Sequence, residues 1–193
     1  MHSRPLILAS SSPRRRQLLE EAGYEIEVIA PHEDVECGVC SQNGPAGLVT
    51  DLAYRKAAAI RSQLPLPQPA TLIAADTVAE CDGFVLGKPR DEAHARAMLQ
   101  QLRGRAHRVL TGVCVWPLDR AEPLLRVAVT QLLMDDLSNE AIDEYLATGE
   151  WRGKAGAFGY QDRLGWVHIM DGSESNVVGL PLEMLAEMLQ EVP

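Results

Sequence analysis

The sequence predicts an α/β fold, and three observations predict it. Short compact apolar runs of strand length alternate with longer amphipathic segments of helical period. The apolar runs are bounded by turn chemistry, such as Asp82-Gly83 and the proline-rich stretch around Pro65, Pro67 and Pro69. Helix starts and stops carry recognisable caps. With 193 residues, 46% hydrophobic and 23% charged, the chain is long enough for an ordinary core. No linker composition divides it, so residues 1–193 read as a single domain.

Taken in order, Leu6 to Ala9 is a short buried strand. Ser12 and Pro13 mark a helix start, with serine as N-cap and proline at the first helical position. That helix runs to about Ala22 and stops at Gly23. Tyr24 to Ala30 is a second strand, followed by a loop from Pro31 to Pro45. A helix from about Ala46 to Leu64 comes next. Leu72 to Cys81 is a strand, and the Asp82-Gly83 turn returns it through Phe84 to Leu86. Pro89 opens a helix to about Leu102. His107 to Trp116 and Leu124 to Met134 are long neighbouring strands. Ser138 caps a helix through Leu146 that Gly149 closes. Trp166 to Met170 is a last strand, and Pro181 starts a C-terminal helix.

The net charge of −9 argues against a general nucleic-acid partner, which would need a basic surface. A small anion remains compatible if positive charge is gathered locally, as it is at Arg14-Arg15-Arg16. No apolar run approaches the roughly 20 residues of a membrane span, and residues 5–9 are too short for a secretory signal. The expectation is a cytoplasmic protein with no membrane partner. Cys37 and Cys40 form a lone Cys-x-x-Cys among turn-forming residues. Incidental reduced thiols are the plain reading, and a zinc or redox site is the alternative.

Five places carry possible chemistry. Ser10 to Arg15 leads into a helix whose first N–H groups, with serine hydroxyls and an arginine, suit phosphate, or simply make a capped helix with a basic turn. Lys56 falls near the middle of an apolar helix face with Leu52, Ala53 and Ile60, so it either snorkels out or meets an anion. Asp76 follows the apolar run Leu72 to Ala75, as a metal ligand, a general base or a carboxylate bound to nearby backbone N–H groups. Gly87-Lys88-Pro89 is not a P-loop, but it places Lys88 ahead of a helix, where a surface lysine is the plain alternative. Glu33-Asp34-Val35-Glu36 offers oxygen ligands for magnesium, or is a solvated acidic loop.

Together these segments resemble the Maf family of nucleotide pyrophosphatases over nearly the whole chain. The resemblance is carried by Leu8 to Arg15, Leu52 to Ala57 with Lys56, Ala75 to Val78, and Gly87 to Arg90. It continues through Met98-Leu99-x-x-Leu102-x-Gly104-x-x-His107, Thr111 to Val113, Lys154 to Gln161, and Val178 to Pro181. It implies an elongated fold, akin to the ITPases, with a mixed curved sheet, flanking helices and a cleft between two lobes. It implies hydrolysis of a nucleoside triphosphate to monophosphate and pyrophosphate, a divalent metal (magnesium, with manganese the alternative ion) and commonly a homodimer.

By the same resemblance, Asp76 matches the proton acceptor. Ser10, Arg14, Lys56 and Lys88 match phosphate-handling positions, and Lys154, in the matching segment Lys154 to Gln161, is a further substrate contact. The family's acidic metal position falls on Asp34 in an ungapped reading, with Glu33 and Glu36 as the alternatives, beside Asp76. One subgroup acts on thymidine and uridine triphosphates and carries Arg, Thr and Gln where this chain has Arg14, Thr77 and Gln161. Another prefers 7-methylguanosine triphosphate and differs at all three. One departure is Asp162, where the first subgroup usually has Gly, which adds a negative charge beside Gln161. A nucleotide-binding regulator of cell division or septum formation is the alternative, although pure binding has no chemical need for a carboxylate facing phosphates.

Overall fold

The computed structural model describes residues 4–36, 43–162 and 164–192. The side chains of Glu33, Glu36 and Gln161, and the whole of Cys37 and Cys40, lie outside the described residues. Seven strands form one sheet: β1 (Leu6–Leu8), β2 (Ile26–Val28), β3 (Thr71–Cys81), β4 (Phe84–Leu86), β5 (Ala106–Pro117), β6 (Leu124–Met134) and β7 (Val167–Asp171). Their order is β2-β1-β3-β5-β6-β7, with β4 paired to β3 off that path. Pairing is mixed: β1 is parallel to β2 and β3, whereas β3–β4 and β6–β7 are antiparallel. The helices are α1 (Pro13–Glu21), α2 (Gly44–Arg61), α3 (Glu92–Leu102), α4 (Asn139–Thr148), α5 (Glu174–Val178) and α6 (Leu182–Gln190).

The chain divides into two compact units. The first comprises Met1–Asp76, Thr111–Ala128 and Gly179–Pro193. β1 and this unit's parts of β3 and β5 are largely apolar on both faces, as strands covered on both sides must be. Leu6 and Leu8 of β1, Ile73 and Ala75 of β3, and Val113 and Val115 of β5 pack with Leu19 of α1 and Leu185, Met188 and Leu189 of α6. The alternate residues Ile7, Leu72, Ala74, Cys114 and Trp116 pack with Ala53, Ala57 and Ile60 of α2. The period of two along each strand thus sorts the side chains into two separate cores.

The second unit comprises Thr77–Leu110 and Val129–Val178. Its core joins Ala79 and Cys81 of β3, Val109 of β5 and Leu132 and Met134 of β6 with Ala95, Met98, Leu99 and Leu102 of α3. That i, i+3, i+4, i+7 spacing is one helix face. The β3–β4 turn is a tight hairpin in which Asp82 and Gly83 both take positive φ, 52° and 83°.

Most expected elements stand where the sequence puts them, within a residue or two at their ends. One difference matters. The expected helix from Pro89 begins instead at Glu92, because Asp91 takes an extended conformation and its carboxylate accepts the His94 amide at 2.7 Å. Lys88 therefore stands in the loop after β4, four residues ahead of the first helical turn. Asp76 lies inside an eleven-residue strand, within the bounds expected from Leu72 to Cys81. β3 pairs with β1 through Thr71–Ile73 and with β4 through Ala79–Cys81, and Asp76 falls between those two pairings.

Candidate functional site

The centre of the first unit's polar chemistry is a contact between α2 and β3. Lys56 Nζ donates to Asp76 Oδ1 at 2.6 Å, with both residues buried. The apolar face of α2 dictates this position. Val49, Leu52, Ala53, Ala57 and Ile60 are buried on it, and Lys56 is buried among them at 4% exposure. An ammonium there needs an anion, and Asp76 is it. Of the two readings of Lys56, snorkelling is thereby excluded. The approach of helix to sheet depends on Gly112 of β5, where a Cβ would come within 2.3 Å of the Val49 carbonyl oxygen. No side chain fits there, so α2 can settle close over the sheet.

Ser10 follows β1 and is buried. The parallel register of β1 with β3, continued by a bond from the Ala9 amide to the Ile73 carbonyl at 2.7 Å, runs the Ser10 loop alongside the residues before Asp76. Ser12 occupies the N-cap of α1 without a capping bond from its own side chain. Ser10 Oγ instead accepts the Ser12 amide at 3.2 Å and the Arg15 guanidinium at 3.3 Å. Arg15 also donates through Nε to the Gly179 carbonyl at 2.8 Å.

Arg14, the arginine that the sequence singles out, is partly buried, whereas its neighbour Arg15 is buried. Arg15 is the residue that sequence reasoning missed. A signal existed: it lies four residues before Leu19, the other buried position of α1.

In the second unit, Thr77 is partly buried in β3 and Lys88 is exposed. The Gly156 amide donates to the Gly87 carbonyl at 3.0 Å, which brings the Lys88 loop to the segment containing Lys154. Lys154 is buried at 8% exposure and forms an ion pair with Asp162, with Glu150 a further 3.6 Å neighbour. Asp34 is well exposed and pairs with His32 at 2.9 Å. Among the described residues, no group of three or more His, Cys, Asp or Glu side chains is placed to hold a metal. Cys81 and Cys114 are buried free thiols, and burial pushes the Cys114 thiol up to about 12.

A mixed sheet with helices and a buried lysine–carboxylate pair defines an α/β protein of an architecture also seen in the HAM1 proteins. The HAM1 structure from Coxiella burnetii superposes with a TM-score of 0.54 at 16% identity, covering 97% of this chain and 99% of that one. The Ham1 protein of Staphylococcus aureus gives a TM-score of 0.55 at 12% identity, covering 98% and 100%. Identities that low speak of fold alone.

Sequence similarity gives the family. Residues 5–192 match the model described as Maf-like protein, and the chain belongs to that family. A dTTP/UTP pyrophosphatase of Rhodopirellula baltica is 48% identical over 186 residues, covering 96% of this chain and 81% of the relative. Those of Pelotomaculum thermopropionicum and Pyrococcus abyssi are 43% and 39% identical, each covering 96% of this chain and 95% of the relative.

Proposed function

We propose that this chain hydrolyses thymidine and uridine triphosphates to the monophosphate and pyrophosphate. The observation that carries this reading is the buried Lys56–Asp76 contact, in a family member whose relatives bear that activity in their names. Asp76 is the proton acceptor for the water that attacks the α-phosphorus. Lys56 holds and orients that carboxylate, and its charge favours the anionic phosphates. Ser10, Arg14 and Lys88 serve the phosphates, and Lys154 is a further substrate contact. Arg14, Thr77 and Gln161 read the base, for which an amide side chain offers both a donor and an acceptor to the imide edge.

A divalent cation fits the donor chemistry of Asp76. Magnesium is commonly held by only one or two carboxylates together with substrate phosphates, so it does not require the three-residue cage that is lacking among the described residues. Asp76 would hold the ion, with Asp34, Glu33 or Glu36 as its acidic neighbour from the 310 turn Glu33–Glu36. When bound, the cation draws charge from the phosphate oxygens. The identity of the ion as magnesium and a homodimeric state belong to the same proposal.

The test is release of pyrophosphate and monophosphate from a panel of nucleoside triphosphates with magnesium, repeated with a chelator and with Asp76→Asn. Turnover of dTTP and UTP, but not of 7-methylguanosine triphosphate, is expected, and it should vanish with the chelator and in the variant. Intact nucleotide binding without turnover of any member of the panel would replace the enzyme with a nucleotide-binding regulator.

A further inference from the structure

Between Lys154 and Trp166 the described residues form two 310 turns, Ala155–Ala157 and Tyr160–Asp162. A single carboxylate ties down the second. Asp162 Oδ1 receives the Lys154 ammonium, while Oδ2 accepts the Tyr145 hydroxyl at 2.7 Å and the Gly159 amide at 3.3 Å. The Asp162 amide in turn donates to the Gly159 carbonyl at 3.0 Å. Three donors from helix α4, the loop after it and the turn itself thus meet on one side chain.

Those donors are themselves fixed. Tyr145 is buried, and its ring packs on Phe158 and Trp166 with centroids 5.7 Å away in each case. Lys154 lies across Gly159, where a Cβ would come within 2.9 Å of the lysine side chain. Burial, followed by the hydrogen bond to Asp162, pushes the Tyr145 phenol far up, so it stays a donor. The negative charge that Asp162 brings beside Gln161 is paired with Lys154.

Gln161 is the middle residue of this turn. We infer that Asp162 is a positioning residue for base recognition: bound to Lys154, Tyr145 and Gly159, it fixes the turn that carries Gln161. The inference rests on the proposed reading of Gln161. It assigns a part in the base preference to a carboxylate at a position where glycine would take the nearer anion from Lys154 and leave the turn untied.

UTP and CTP differ at position 4 of the ring, a carbonyl in one and an amino group in the other, so their ratio reports the reader of that edge. Wild type, Asp162→Asn and Tyr145→Phe are compared by kcat and KM for both nucleotides, by calorimetric Kd for both, and by circular dichroism for folding. In Asp162→Asn the preference for UTP should fall about tenfold, through KM and Kd, with kcat kept within about twofold. In Tyr145→Phe, which keeps the ion pair, it should fall about threefold. An undiminished preference in folded Asp162→Asn overturns the inference, as does an equal loss of kcat on both nucleotides with the preference intact. If Asp162→Asn does not fold, Tyr145→Phe decides in the same way. A wild-type protein with no preference by turnover or Kd would instead overturn the proposed base reading, and this role of Asp162 with it.

Discussion

Lys56 and Asp76 are twenty residues apart in sequence and 2.6 Å apart in space, both withdrawn from water. Each makes the other tolerable in the core. Breaking such a pair from one side leaves an uncompensated buried charge, which costs about 3–5 kcal/mol, whereas replacing both with apolar groups of similar volume can be nearly neutral. Lys56→Met and Asp76→Leu should therefore each destabilise the fold by about 3–5 kcal/mol. The double variant should recover most of that loss, while all three lose turnover. Urea unfolding of the four proteins gives the coupling energy, and additive losses would mean that the pair is not coupled.

Gly112→Ala should act on the same pair from a distance. The added Cβ meets the Val49 carbonyl at 2.3 Å, and the obstacle is helix backbone rather than a pliable side chain. Helix α2 must move off the sheet and take Lys56, two turns further along, with it. Overpacking of this kind costs about 1–3 kcal/mol. We expect that loss in urea unfolding, with kcat reduced more than KM is raised. A variant as stable and active as wild type would show that α2 shifts without disturbing Lys56.

The parts of the fold legible in the sequence are those set by local chemistry. The double apolar faces of β1 and β3, the Asp82-Gly83 turn, and the caps at Ser138 and Gly149 each follow from a few neighbouring residues. Pro89 misled because a proline and an aspartate two residues apart both signal a helix start, and only the Asp91 carboxylate makes the capping bond. Helix α5 and the 310 turns are short, and their order comes from distant contacts such as Asn176 to the Val109 carbonyl at 3.2 Å. Within the candidate site, the apolar wheel around Lys56 left snorkelling and an anionic partner both open and could not say which anion. The spacing of Arg15 to Leu19 hinted that Arg15 is buried, but Gly179, the partner of its guanidinium fork, lies 164 positions away and has no local trace.

That fork supports a third prediction. Arg15 reaches Ser10 through one nitrogen and Gly179 through another, fixing the loop before α1 to the chain that leads into α6. A lysine keeps the charge but has no planar fork to satisfy both acceptors at once. Arg15→Lys should lose about 1–3 kcal/mol of stability, in the range for hydrogen bonds to a charged group. It should also raise KM more than it lowers kcat, because the Ser10 loop loosens while Asp76 and Lys56 stay. Unchanged KM with lowered stability would confine Arg15 to a purely structural role.

The last prediction concerns acid. His107 on β5 is buried, and its ring Nδ1 lies 3.3 Å from the Arg105 carbonyl oxygen. Burial lowers its pKa below the ordinary 6.5, against a smaller opposite pull from that carbonyl. The folded state therefore favours the neutral ring, and its contribution to stability is fully present above about 6.5. As pH falls, the unfolded chain takes up the proton first, so stability declines from about 6.5 down to the lowered folded value and levels off below it. Over that window the slope approaches at most one proton. His107→Gln should remove this component and flatten the dependence of the urea midpoint on pH between about 6.5 and the lowered value, while leaving the carboxylate-driven losses at lower pH unchanged. If the variant keeps the wild-type slope in that window, the proton uptake belongs to another group.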